Sequence, residues 1–140
     1  MTATLEKKQL LSTVSASRTV NGQPSMIVST GDLDRDGDRI IPTGIELTNF
    51  QRNPTLFWGH QHTDLPIGTV TSINHSSRGL QATWRWLEND PFAERVRNAW
   101  EQGVVRAASI GFIPKEGKPN EFGGQDFTET ELLEISLVGL

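Results

Sequence analysis

No cysteine occurs in the 140 residues. That absence removes disulfides, thiolate metal sites and a cysteine nucleophile together, and it fits a reducing compartment. Basic blocks are also lacking. The formal net charge is -4, from 13 Lys and Arg against 17 Asp and Glu. A phosphate backbone finds no basic surface here, so nucleic acid is not expected as a partner. The opening stretch, residues 1–17, has no apolar run long enough for a signal-peptide core. Nothing approaches the ~20 apolar residues that a membrane helix needs. No internal repeat and no Gly/Pro-rich linker divides the chain. These absences predict one soluble, cytoplasmic domain over residues 1–140, with 1–8 as a loose tail and no cofactor.

Against them stand 35% hydrophobic and 21% charged residues, the balance of a globular protein with its own core. The patterning is mostly that of strands. Two strands are expected within residues 9–30, turning at Asn21-Gly22. Ile40-Ile41 reads as a short strand stopped by Pro42. Residues 44–52 suit a short helix ended before Pro54. Leu56-Phe57-Trp58 reads as a buried strand, and Ile67 to Ile73 alternates. Leu80, Ala82, Trp84 and Trp86 share one strand face. The clearest helix is 91–102, with Asp90 as cap, Pro91 at its first position and Gly103 as its stop. Phe92, Val96, Ala99 and Trp100 recur at helical spacing and are expected in the core. Strands over 104–113 and 132–138 enclose a polar loop at 115–126. The expected fold is mainly β with helices: a small antiparallel barrel carrying the 91–102 helix.

Four segments hold side chains capable of chemistry. In GHQHTDLPIG, residues 59–68, two of the three histidines follow an apolar strand. Histidine moves protons near neutral pH, so His60 is a candidate base. An incidental loop explains the histidines equally well. On an extended strand His60, His62 and Asp64 would share one face and could ligate a metal. The third histidine, His75, falls in a polar stretch read as a surface turn. In AASIGF, residues 107–112, Ser109 interrupts an apolar strand. Gly111 comes two positions later and would let the backbone approach a substrate closely. Taken alone, Ser109 is one of ten serines and reads as an inward hydroxyl bonded to a neighbouring carbonyl. In LLEISLV, residues 132–138, Glu134 is either buried with a partner or on a solvent face with Ser136. Finally, Asp32, Asp34, Asp36, Gly37 and Asp38 resemble the start of a calcium loop. Position twelve is Thr43 instead of Glu and no helix precedes Asp32, so a turn is expected.

Order and setting add what single motifs lack. DRDGDRIIPTG (34–44), NPTLFWGHQHTDLPIG (53–68), GLQAT (79–83), GVVRAASIGF (103–112) and ELLEISLV (131–138) together resemble the prohead maturation serine proteases of tailed phages. The resemblance spans roughly residues 25–138. It implies Ser109 as nucleophile, His60 as base and Glu134 as the third member. It also implies a fold similar to the herpesvirus capsid assembly proteases. Those enzymes use a second histidine as third member, which keeps His62 and His75 in consideration.

The resemblance implies a serine endopeptidase that acts during virion assembly, inside the immature procapsid in the host bacterial cytoplasm. Its implied partners are the major capsid protein with its scaffold segment, and itself through autoprocessing. A homodimer or higher oligomer is compatible with the family. In this mechanism backbone N–H groups near Ser109 and Gly111 would meet the oxyanion. Relatives continue past the last motif with a proline-containing segment and a tail. A chain ending at Leu140 is therefore expected to be a truncation or a self-cleaved product. Two other functions fit the same residues: a metal-dependent hydrolase using His60, His62 and Asp64, and a non-catalytic capsid assembly module.

Overall fold

A computed structural model describes residues 8–13, 19–20 and 22–139. Residues 1–7 of the expected tail, and Asn21 of the expected turn, lie outside them, while Lys8 already belongs to a strand. Among the described residues, ten strands and two helices succeed one another: β1 (Lys8–Thr13), β2 (Thr19–Val20), β3 (Gln23–Ser29), β4 (Arg39–Ile40), β5 (Ile45–Glu46), α1 (Thr48–Arg52), β6 (Thr55–Trp58), β7 (Gly68–Ser76), β8 (Gly79–Trp86), α2 (Pro91–Glu101), β9 (Ala107–Pro119) and β10 (Gln125–Val138). The strands form one sheet with the order β1-β9-β10-β6-β7-β8-β3-β2.

The protein is mainly β with helices, as expected, but the sheet is mixed and does not close into a barrel. The reason lies in β10. Along one edge it pairs antiparallel with β9. Along the other it takes β4, β5 and β6 in succession, all parallel. The chain from 39 to 58 thus travels beside β10 in short steps, broken by a 3-10 turn at Pro42–Gly44 and by α1. Parallel pairing needs a crossover, and here it is the chain between β6 and β10, residues 59–124, which makes β7, β8, α2 and β9 on its way.

The polar stretch 115–126, expected as a loop, is mostly strand. β9 runs on to Pro119 and β10 begins at Gln125. Lys115 to Pro119 are all exposed. A hairpin arm with both faces wet shows no hydrophobic alternation, so periodicity cannot reveal it. Where the arm joins the body, the Arg39 guanidinium forks onto both oxygens of Asp126, at 2.7 and 2.9 Å. That bond, with a second from Asn120, holds the Asp126 carboxyl below the usual carboxylate range.

Helix α2 matches its sequence signals closely. The Asp90 carboxylate accepts the Ala93 N–H at 2.9 Å, and the helix ends at Glu101 ahead of Gly103. Its buried side chains are Ala93, Val96 and Trp100, while Phe92 is 39% exposed. The core-facing stripe is therefore centred one residue later than expected. Ala93 is small enough to let the first turn settle on the sheet, and Phe92 is rotated outward. Trp100 packs edge-on against Trp84 and Trp86, with ring centroids 4.9 and 6.4 Å apart. Leu80, Ala82, Trp84 and Trp86 are all buried on β8, as their alternation predicts. Among the described residues no helix is long and apolar enough to cross a membrane.

Candidate active site

The middle of β10 gathers the candidate residues. On β9, Ser109 lies directly opposite Ser136, and Gly111 directly opposite Glu134. Directly opposed residues project to the same face, so Ser109, Glu134 and Ser136 stand on one side of the sheet. All three are buried, at 6%, 6% and 0% exposure. Burial settles the two readings of Glu134 in favour of a buried acid with partners. A register shift between Leu132 and Glu134 contributes to its placement. Such a bulge re-aims the side chain that comes after it.

On the other edge of β10, Phe57 and Trp58 of β6 pair with Ser136 and Leu137. The chain then turns sharply. Gly59 and His60 both have φ of +60°, and the Gly59 N–H donates to the Leu137 carbonyl at 2.8 Å. A left-handed conformation is uncommon for a residue with a β-carbon and marks a constrained position. Here the constraint is visible: the His60 N–H donates to Ser136 Oγ at 3.1 Å. The turn lays the imidazole over β10, where His60 Nδ1 bonds Glu134 Oε1. From the same turn His62 Nε2 bonds Glu134 Oε2. One carboxylate thus joins both histidines.

Several expectations change with this geometry. Residues 59–66 form a turn instead of an extended strand, so alternation does not align His60, His62 and Asp64. Among the described residues the potential metal-ligand atoms within 4.8 Å of one another form two groups, His60 with His62 and Glu134, and Asp34 with Asp36 and Asp38, and Asp64 is in neither. His75 is exposed on β7, paired with Leu80, and its neighbours Ser77 and Arg78 make the turn. Gly111 also has a different purpose from the one expected. A β-carbon there would stand 2.7 Å from Glu134 Cγ and 3.0 Å from its Oε1. Its missing side chain makes room for the acid. Nor can β9 supply oxyanion donors as expected. Over residues 107–112 it is flanked by β1 and β10. Its N–H groups therefore lie in the sheet plane, away from the face that carries Ser109.

Among the described residues no hydrogen bond joins Ser109 Oγ to the His60 ring, whose Nδ1 bonds Glu134. A cavity of about 430 Å³ adjoins the acid, lined by Phe50, Phe57, Ile113 and Leu132, with His62 and Glu134 in its wall. A larger one, about 540 Å³ between Leu65, Arg85 and Leu87, touches none of the candidate residues. The acidic turn also behaves as expected of a turn: Asp34 Oδ1 accepts the N–H groups of Asp36 and Asp38, both at 2.9 Å.

Ser136 is the residue that sequence reasoning undervalues. Alternation gives its face but not its role in seating the histidine turn. The signal available is the spacing in Glu134-x-Ser136, which places both on one strand face.

Known proteins resemble this chain in sequence or in fold. The prohead protease of Enterobacteria phage HK97 is 30% identical over 83 residues, covering 58% of this chain and 37% of that protein. The prohead protease of Escherichia phage T5 is 31% identical over 120 residues, covering 80% of this chain and 54% of that protein. The chain therefore spans about half or less of each relative. In fold it is similar to the bacteriophage T4 capsid assembly protease, with a TM-score of 0.63 over 95% of this chain and 98% of that one, at 8% identity. The profile of one family matches residues 15–140, all of the chain beyond its first segment. By that match the chain belongs to the caudovirus prohead serine protease family.

Proposed function

We propose that the chain is a serine endopeptidase of capsid maturation, with Ser109 as nucleophile, His60 as general base and Glu134 as the acid that orients His60. The observation that carries this reading is the bond from His60 Nδ1 to a buried Glu134, on the sheet face where Ser109 presents its hydroxyl. Membership in a family described as serine proteases agrees with it.

In this mechanism His60 Nε2 takes the proton as Ser109 Oγ bonds to the scissile carbonyl carbon. The C–N bond then breaks and the same proton passes to the leaving amine. Water repeats the sequence to release the acyl group and regenerate Ser109. Glu134, accepting from Nδ1–H, keeps Nε2 free to act as base and stabilises the imidazolium as it forms. Ser136 positions the base through the backbone of His60, and Gly111 admits the acid. The names of the relatives, prohead protease and capsid assembly protease, support capsid protein within the procapsid as substrate, and its scaffold segment and the protease itself are proposed beside it.

A metal-dependent hydrolase is the second reading, favoured by the mutual proximity of His60, His62 and Glu134. One experiment separates the two. The protein is incubated with its capsid-protein precursor, with and without chelator, beside Ser109→Ala and His60→Ala. The serine mechanism predicts cleavage that survives chelation and falls by about a thousandfold or more in each variant, with the fold retained. Cleavage by Ser109→Ala, or its loss from the wild type on chelation, would put the metal reading first. Persistent capsid maturation with Ser109→Ala and no proteolysis at all would indicate an assembly module.

A further inference from the structure

We infer that His62 is a fourth, positioning member of the site, acting through Glu134 on His60. The inference rests on the protease reading above and concerns the same carboxylate. Glu134 is 6% exposed, and among the described residues no Lys or Arg pairs with it. A carboxylate in that setting has two oxygens to satisfy. His60 takes Oε1, and without a second donor Oε2 would be buried and unpaired. Such a group rotates to seek a partner, and the rotation spoils it as the acceptor for His60 Nδ1–H. His62 Nε2 supplies the missing donor on Oε2.

Three contacts hold His62 ready for that role. Its ring meets Phe57 edge-on, with centroids 5.3 Å apart at 61°. Its backbone N–H donates to the His60 carbonyl at 3.1 Å, so the two histidines share one turn. The Gln61 N–H, between them, donates to the Trp58 carbonyl at 3.1 Å and ties the turn to β6. The His62 side chain is 47% exposed, whereas that of His60 is 16% exposed. His62 therefore borders solvent and the cavity beside the acid, with the carboxylate between it and His60. Its contribution is to fix the Glu134 carboxylate in one plane.

A positioning role makes specific demands. His62→Ala should lower kcat by about ten- to a hundredfold, the range in which groups that orient a reactive residue act. KM and the melting temperature should stay near wild type. His62→Gln, whose amide N–H can reach Glu134 Oε2, should recover part of the loss. In a Glu134→Gln background, His62→Ala should add little, because both changes break one chain of contacts. The low-field proton of His60 Nδ1, read by NMR in Ser109→Ala to prevent turnover, should shift when His62 is also replaced by Ala.

Unchanged kcat in His62→Ala would overturn the inference. So would a full multiplicative loss in the Glu134→Gln background, or an unmoved His60 proton. A fall in melting temperature that accounts for the lost activity would make His62 merely structural. Ser109→Ala alone is assayed in parallel. Activity there removes the protease reading itself, and the inference with it, whereas a dead Ser109→Ala beside an unaffected His62→Ala removes only the inference.

Discussion

The α2–β8 region and the Gly59–His62 turn over β10 each lay a short segment on a strand, yet they are held differently. Helix α2 is fixed by its own neighbourhood: an aspartate three residues before the N–H it caps, a proline at its start, and an apolar stripe ending in Trp100. Its docking is apolar and broad, through three tryptophan rings. The histidine turn is fixed by partners 72 to 76 positions away, through a few polar contacts to Glu134 and Ser136. Apolar area tolerates small adjustments, because it is non-directional and sums over many weak contacts. A polar constellation loses its purpose when one atom moves by an ångström. The first region therefore governs stability and the second geometry.

Substitutions that affect one region and spare the other test this division. The largest expected effect on stability is Trp100→Ala, which should cost about 3–5 kcal/mol, as for other large aromatics in cores. Chemical denaturation would measure it, and a loss below about 1 kcal/mol would show that α2 is not anchored through this ring. Gly111→Ala should cost less, about 1–3 kcal/mol of overpacking. Its effect on proteolysis should be disproportionate, because the new methyl occupies the space of the Glu134 carboxylate. Assaying cleavage and melting on the same sample decides whether the site is as exacting as its geometry implies. The smallest effect belongs to the Arg39–Asp126 pair, where neither region is involved. The depressed Asp126 carboxyl contributes stability above its ordinary value of about 3.9 and loses it as pH falls through its lower, folded value. Arg39→Gln should therefore flatten part of the stability loss in acid while leaving cleavage at neutral pH unchanged. An identical acid limb in both proteins would show that this pair is not what titrates.

The same contrast explains how far the sequence can be read. The helix is legible because capping and spacing are local, and only Phe92 misleads, by one position around the helix. The β8 alternation is legible because one face is buried throughout. For the site, Ser109, His60 and Glu134 are suggested by motif resemblance, and their residue types alone leave each ambiguous. The burial of Glu134 is not legible. It arises from a bulge and from the absence of a side chain at Gly111 on another strand. Nor can the alternation of His60, His62 and Asp64 reveal its own failure, since the left-handed backbone at His60 is held by Ser136. The barrel expectation fails for a similar reason. Nothing in three short apolar segments announces that all three will line up parallel on one long strand.

That long strand carries a consequence for timing. β10 supplies Glu134 and Ser136, borders Ser109 on one side and seats the histidine turn on the other. Of the described strands it is also the last to leave the ribosome. A nascent chain that has emerged only as far as residue 124 already contains the proposed nucleophile and base, but has no scaffold to bring them together. Pairing between distant segments is slow to form, because loop closure precedes any favourable contact. Hydrolytic competence would then arise abruptly, as β10 slots between two waiting edges. The proposed protease would in this way stay inert until β10 has been made.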